Sequence, residues 1–553
     1  DDDGTLGGVA RLKTLVDEIR AGADHPVLLF DSGDFMAGAL FQMLVTEEAA
    51  ELQMMEHIGY DAITLGNHEF DWGPQTVGEM ITTADGLGVE VPILAANVVP
   101  HPDDPDDDAL AAHIDSGRIR DTMVLEVGED LKIGLFGALG DGAQQVTPGV
   151  APASFSPFLE AAGEAVAELE ASEPDLVIAL SHAGVEEDIE LALEDLGIEV
   201  ILGGHSHTAL AEPIQMRGTT IVQAGAYTRF LTQTELEKVG LEWQVTSTVL
   251  HTLDDTIEGD ADTTDMVDGF LTRVQEDHLD AMGYEFDEPI AWIRDDIGVT
   301  RSTCKESPLG NLITDAYQTQ LTALDPDHPI DFAFEAQGVI RDFLLAGDTG
   351  VQAFSDVFRV LPLGGGNDGR PGYALAHFYV DSSEVYTACE VTATVAPEEG
   401  CNYFIEISSN LRCTIDMNAF PTRRVTLAER WTGTEWEAID AEDTDTLYHV
   451  AVNTYVANLM SLLEELSGGA LSVSPKTASG SPFGNVDAMV FDADPVTGGV
   501  QEYKTWEALV DYADSFPDTD WDGASEIPDS YTMSDERLIG YDHPTEEPYP
   551  EVR

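Results

Sequence analysis

The stretch DAITLGNHEFDWG, residues 61–73, passes from an apolar run directly into amide, imidazole and carboxylate side chains set between glycines. An apolar run of that length suits a short buried strand, and glycine lets the backbone turn sharply where the strand ends. Two meanings are open for the polar part. It is a loop that binds metal beside a catalytic acid, or it is a polar turn after a buried strand.

The same form recurs through the first 250 residues. LKIGLFGAL (131–139), PDLVIALSHAG (174–184) and IEVILGGHSH (198–207) are apolar runs that end in small and polar residues. Between them stand amphipathic segments with apolar residues three and four apart: GGVARLKTLVDEIRAG (7–22), ELQMMEHIGY (51–60) and FLEAAGEAVAELEAS (158–172). Alternation of this kind predicts an α/β domain whose strand-end loops carry the chemistry. PHPDDPDDDALAAH (100–113) interrupts it as an Asp/Pro-rich insertion, expected to be an exposed, solvated loop.

At 553 residues the chain is too long for one ordinary core, so two domains or more are expected. The polar segment TLDDTIEGDADTTD (252–265) marks the linker. It sets a first domain over 1–255, an acidic linker and helix over 256–289, and a second α/β domain over 290–553. The final forty residues, rich in Asp, Pro and Tyr, are expected to be irregular surface chain.

With 105 acidic and 24 basic residues the formal net charge is −81. Nucleic-acid polymers and anionic membranes need basic surface, so neither is a general partner. An anionic substrate would be repelled unless metal ions or high salt intervene. The charge fits a halophilic protein; a secreted, calcium-rich one is the alternative. The sequence shows no run long and apolar enough for a transmembrane segment, and it names no partner protein. Cys304, Cys389, Cys401 and Cys413 form no CxxC pair, which removes zinc-finger and thioredoxin readings. They fit one or two disulfides in an oxidising compartment, or four buried thiols.

Four strand ends carry ligand-type side chains in order: FDSGDFMAG (30–38), LGNHEFDWG (65–73), LSHAGVEED (180–188) and GGHSHT (203–208). Carboxylate, amide oxygen and imidazole suit divalent Mn, Zn, Fe or Co. Each motif alone is weak, but all four, each after an apolar run, are not accidental.

Together they resemble the calcineurin-like metallophosphoesterases, in the two-domain 5′-nucleotidase / UDP-sugar hydrolase branch. The resemblance implies a four-layer αββα sandwich holding two divalent metal ions, followed by a 5′-nucleotidase-type substrate domain. On the matching positions, Asp34 would bridge the metals, Asn67, His182 and His205 would complete one site, and His207 would serve the other. His68 and Asp71 match the catalytic pair: His68 would stabilise the phosphoryl group and help the leaving oxygen depart, with Asp71 orienting its ring. The implied reaction is hydrolysis of a nucleotide or another small phosphoester by in-line attack of a metal-bound hydroxide. The location implied is extracellular, periplasmic or at the cell surface. The family's first motif, Asp-x-His, belongs just before GGVARL (7–12), and no His precedes it here. The expectation is that the native chain extends upstream of Asp1.

The second half resembles the family's nucleotide-binding domain, with departures. In ESPLGNLITDAY (306–317), Asn311 and Asp315 read as structural. EAQGVIRDFL (335–344) keeps Gly338 and Arg341 of the substrate loop but has Ala336 where the family has Asn. Arg341 is the candidate phosphate grip, with a salt bridge to the acidic surface as the alternative. Leu363 stands where an aromatic residue would stack on a base; Phe358, Tyr455 and Phe483 are the substitutes to consider. SGGALSVSPKTASGSP (467–482) replaces the family's Gly-rich aromatic segment. These departures leave open a 2′,3′-cyclic phosphodiesterase, a sugar-nucleotide hydrolase or a thiosulfate-chain hydrolase. A non-catalytic surface or assembly protein that keeps the fold is also open. Finally, DTDWDGASEIPD (518–529) spaces Asp518, Asp520, Asp522, Glu526 and Asp529 as a candidate calcium loop.

Overall fold

Strand Leu176–His182 is buried along its whole length, the pattern of a central parallel strand covered on both faces. In a computed structural model of the chain, which describes residues 6–128, 131–240, 242–299, 304–460, 463–483, 485–518 and 524–541, it lies at the middle of a six-stranded sheet. The order is Ile214–Met216, Thr219–Gln223, Val200–Gly203, Leu176–His182, Leu131–Leu139, Thr122–Val127. The four inner strands are parallel to one another, and each edge strand is antiparallel to the inner strand beside it. A second sheet is parallel throughout: Phe30–Asp31, Ala62–Thr64, Ile93–Leu94, Ile119–Arg120.

Three apolar cores show how these sheets are layered. Ala62 and Leu94 of one sheet pack with Leu135, Ile178 and Leu180 of the other. Ile63 and Ile93 face outward onto Leu52, Val77, Met80 and Ile81 of helices Ala50–Ile58 and Pro74–Leu87. Phe136, Val177 and Ile201 face Ala162, Val166 and Leu191 of helices Phe158–Glu170 and Val185–Leu193. The layers therefore run α, β, β, α, as expected. Truncating a buried Ile or Leu here to Ala would cost about 2–5 kcal/mol, since each sits between two packed layers.

Local sequence sets the helix ends. Pro74 opens its helix after Gly73, whose φ is 85°, and Gly88 at φ 81° closes it, the usual proline-in, glycine-out pairing. Asp260 caps helix Ala261–Arg273 by accepting from Thr263 N at 2.8 Å.

The insertion at 100–113 is not the plain exposed loop expected of it. Asp107 is fully buried and accepts from His101 N at 2.7 Å, and residues Asp108–Asp115 form a helix. Leu110 on that helix is fully buried. A Cβ on Gly78 would lie 2.4 Å from the Ala109 backbone, so glycine there lets the two helices close up. Composition alone hid the buried leucine, the buried carboxylate and the helix–helix approach.

The chain divides into two compact units that meet in sequence between His278 and Leu279. In the second unit, a sheet ordered Leu375–Asp381, Leu447–Asn453, Phe332–Ala336, Ile405–Ile407 and another ordered Trp436–Ala438, Val425–Trp431, Leu411–Ile415, Leu538–Ile539 share one apolar core. Helix Ser382–Thr394 begins with a capping box: Asp381 accepts from Ser383 N and Glu384 N, and Glu384 accepts from Asp381 N. All four cysteines are paired, Cys304 with Cys401 and Cys389 with Cys413, and the four-thiol alternative falls.

Asp315 is structural as expected. It holds Arg537 through two contacts, 3.1 Å and 2.8 Å, and accepts from Tyr531 Oη at 2.9 Å. Arg537 and Leu538 are buried, so this part of the tail is not surface chain. Arg537 is drawn in by the buried Asp315 carboxylate. Asn311 donates to Glu306 Oε1 at 2.9 Å.

Candidate metal centre

Asp34 sits at φ 64° directly after Gly33 at φ 90°. The two loops at the ends of Phe30–Asp31 and Ala62–Thr64 come so close that a Cβ on Gly33 would be 2.5 Å from Gly66 N. On Gly66 a Cβ would be 2.3 Å from Asp34 Oδ1 and 2.7 Å from His182 Cε1. A side chain at 33 would collide with the Gly66 backbone, and one at 66 would enter the space between Asp34 and His182, so both positions need glycine.

Glu69 fixes this turn from below. It is fully buried, and it accepts from Asp34 N at 2.9 Å, Met36 N at 3.0 Å and Gly66 N at 2.5 Å. Burial first, then the Asp34 charge, push its pKa up to about 7 against those donors. Sequence reasoning passed over Glu69 because a carboxylate between ligands reads as another ligand or as surface. Only the fold shows that three backbone donors consume it.

Asn67 is 2 % exposed. Its Oδ1 lies 3.2 Å from His182 Nε2 and 3.0 Å from His205 Nδ1. His182 Nδ1 donates to the Ser32 carbonyl at 2.6 Å. A carbonyl only accepts, so the proton belongs on Nδ1 and Nε2 is turned to the cluster. There it meets Asp34 Oδ2 at 3.1 Å. Burial alone would lower the His182 pKa, but the Asp34 carboxylate and the Ser32 carbonyl outweigh it and raise it to about 9. Burial would raise Asp34, yet His182 and His68 hold it well below the usual carboxylate range. A carboxylate and an amide oxygen converging on one ring nitrogen call for positive charge between them.

Asp34, His182 and His205 offer ligand atoms all within 4.8 Å of one another. With Asn67 Oδ1 this makes a carboxylate, two imidazoles and an amide oxygen, a donor set that fits a divalent first-row ion. His207 is not in that group; its ring stands edge-on to Tyr227 at 5.4 Å. Beside the cluster, His68 N donates to Asp34 Oδ1 at 2.9 Å, and His68 Nδ1 meets Asp71 Oδ2 at 2.9 Å. The side chains of that pair are 14 % and 8 % exposed.

In the second unit Arg341 donates to Gly338 O at 3.2 Å, and its backbone N to Val360 O at 2.8 Å. Phe358 is fully buried against Phe354 and Trp506, and Leu363 is 4 % exposed. Phe483 packs on the domain core. Tyr455 lies against Tyr373 with ring centroids 5.3 Å apart. Of the calcium pattern, Asp520 and Asp522 lie outside the described residues. Asp529 is ion-paired with Arg294, and Glu526 lies in a strand paired with Pro289–Trp292.

Residues 287–461 match the family described as the 5′-nucleotidase C-terminal domain. The chain is 27% identical over 514 residues to the trifunctional nucleotide phosphoesterase protein YfkN of Bacillus subtilis (strain 168), covering 88% of this chain and 32% of that protein. It is 34% identical over 205 residues to the 5′-nucleotidase of Homo sapiens, covering 37% of this chain and 33% of that protein. The chain thus spans about a third of the length of these curated relatives. Among solved structures, the 5′-nucleotidase precursor of Thermus thermophilus superposes with a TM-score of 0.71 at 22% identity, over 97% of this chain and 94% of that one. The sulfate thiohydrolase SoxB of the same organism superposes with a TM-score of 0.68 at 18% identity, over 98% and 84%. At such identities these two show the fold.

Proposed function

We propose that the chain, whose residues 287–461 match the 5′-nucleotidase C-terminal domain, is a metal-dependent phosphoesterase acting on nucleotides. One observation carries this: Asp34, His182 and His205 offer ligand atoms within 4.8 Å of one another, and His68, its ring on Asp71, gives its backbone N–H to the same Asp34. A divalent ion held by Asp34, Asn67, His182 and His205 would polarise a phosphoryl oxygen and offset substrate charge; His207 is assigned to a second ion. Asp71 holds the His68 ring so that it can donate to the phosphoryl group or the leaving oxygen, with Nδ1 kept for the carboxylate.

Residues 1–255 are taken as the metal-binding domain and 290–553 as the substrate-binding domain, with 256–289 between them. Two compact units meeting at residues 278 and 279 support that division. Arg341 and Gly338 are assigned to the substrate. Two disulfides support an oxidising compartment, extracellular, periplasmic or at the cell surface. No helix among the described residues is long and apolar enough to cross a membrane.

A second reading, a 2′,3′-cyclic phosphodiesterase or sugar-nucleotide hydrolase, draws on the burial of Phe358 and on an aliphatic Leu363 where the resemblance expects an aromatic residue.

The test is hydrolysis of p-nitrophenyl phosphate, its bis ester and a nucleotide panel in concentrated salt with Mn²⁺, beside a His68→Ala variant. Turnover that falls by about 10²–10⁴ in the variant is expected. No turnover with any first-row divalent ion would refute the proposal, and the panel ranks the two substrate readings.

A further inference from the structure

The histidines of GGHSHT lie in an awkward place for their backbone. His205 has φ 69° and His207 φ 56°, a left-handed conformation that costs an L-residue about 1–2 kcal/mol each. Two such residues, with only Ser206 between them, persist only if the surroundings hold them.

Gln223 supplies that hold. It is the last residue of strand Thr219–Gln223, in register with Gly203, and it is 2 % exposed. Its Oε1 accepts from Ser206 Oγ at 2.8 Å and from Thr208 N at 2.6 Å. Its Nε2 donates to the Gly204 carbonyl. One planar amide therefore clamps residues 204, 206 and 208, on both sides of each histidine. Ser206 Oγ also accepts from Val185 N at 3.3 Å, which ties the clamp to the turn just after His182. The clearance is small: a Cβ on Gly203 would be 2.4 Å from Asp188 Oδ2 and 3.3 Å from Gln223 Nε2.

We propose that Gln223 is the positioning residue for this centre, fixing the left-handed turn at 204–208 and, through Ser206, the placement of His205 relative to His182. The proposal rests on the metal-binding function above. It assigns to Gln223 no contact with metal or substrate.

The experiment uses the full chain, metal-free, in concentrated salt, titrated with Co²⁺ and followed by its visible absorption; far-UV circular dichroism and thermal unfolding check the fold. Gln223→Leu should weaken Co²⁺ binding by roughly 10–100-fold and change the band shape, the usual cost of losing an outer-shell partner. Gln223→Glu keeps both acceptor contacts but sets an oxygen against the Gly204 carbonyl, so its affinity should fall between leucine and wild type. Hydrogen exchange at 203–208 in the metal-free protein should quicken in Gln223→Leu. That readout stands whether or not the protein is a phosphoesterase.

Unchanged Co²⁺ affinity and unchanged exchange in a folded Gln223→Leu would overturn the inference. Absence of Co²⁺ binding in the wild type, with faster exchange in the variant, would overturn the metal function while leaving the clamp on the turn in place. Should Gln223→Leu fail to fold, Ser206→Ala decides: a few-fold weakening supports the clamp, and no change overturns it.

Discussion

Replacing Glu69 by alanine should unlatch the turn that carries Asp34. In the native protein one buried carboxylate takes the N–H groups of Asp34, Met36 and Gly66, at 2.9, 3.0 and 2.5 Å. Each buried donor left without a partner costs about 1–3 kcal/mol. Three would sum to well above any single surface change. Water entering the vacated space recovers part, so the expected loss is about 3–5 kcal/mol. Glu69→Gln keeps the shape but turns an NH₂ toward backbone donors, leaving at least one unsatisfied, for about 1–3 kcal/mol. Guanidinium unfolding in constant high salt measures the totals. Hydrogen exchange measured by mass spectrometry locates them: peptides covering 31–40 and 62–72 should lose protection, while those covering the strand Leu176–His182 should not. Equal unfolding free energies for wild type and Glu69→Ala, with unchanged exchange at Asp34 and Gly66, would refute the role given to Glu69.

The remaining expectations concern the second unit. Cys304–Cys401 and Cys389–Cys413 close loops with sequence separations of 97 and 24; loop-closure entropy assigns them about 4.7 and about 3.5 kcal/mol. Cys304→Ala/Cys401→Ala should therefore lower stability more than Cys389→Ala/Cys413→Ala, and the reverse order in denaturant midpoints would count against an entropic origin. His377 lies between Phe491 and His449, its Nδ1 2.9 Å from His449 Nε2. Burial first, then His449, pushes its pKa down from 6.5 to about 4. The folded state then binds fewer protons than the unfolded chain between those values. The contribution is complete above pH 6.5 and is lost as pH falls toward 4, a change of roughly 3 kcal/mol. His377→Phe lacks that loss, so its stability relative to wild type should rise as pH is lowered through this window; a pH-independent difference would refute it.

The sequence by itself determined the alternation of strands and helices in the first unit, because parallel strands buried on both faces must read as apolar runs. It also marked the strand ends that carry candidate ligands, since four such motifs in order, each after an apolar run, point to one site although each alone is weak. The structure brings Asp34, Asn67, His182 and His205 together, with His68 and Asp71 beside them. Tertiary structure alone decided the rest. Glu69 and Gln223 hold backbone groups of loops and Ser32 offers its own carbonyl to His182, and no spacing rule encodes a carbonyl brought in from a segment 150 residues away. The ordering of the acidic insertion rests on buried Leu110, the close approach of Gly78 to Ala109 and the buried Asp107 carboxylate. The burial of Phe358, and of Arg537 near the end of the chain, depended on partners distant in sequence. Short-range pattern records what a residue can do; which groups close around it is fixed only when the sheets stack.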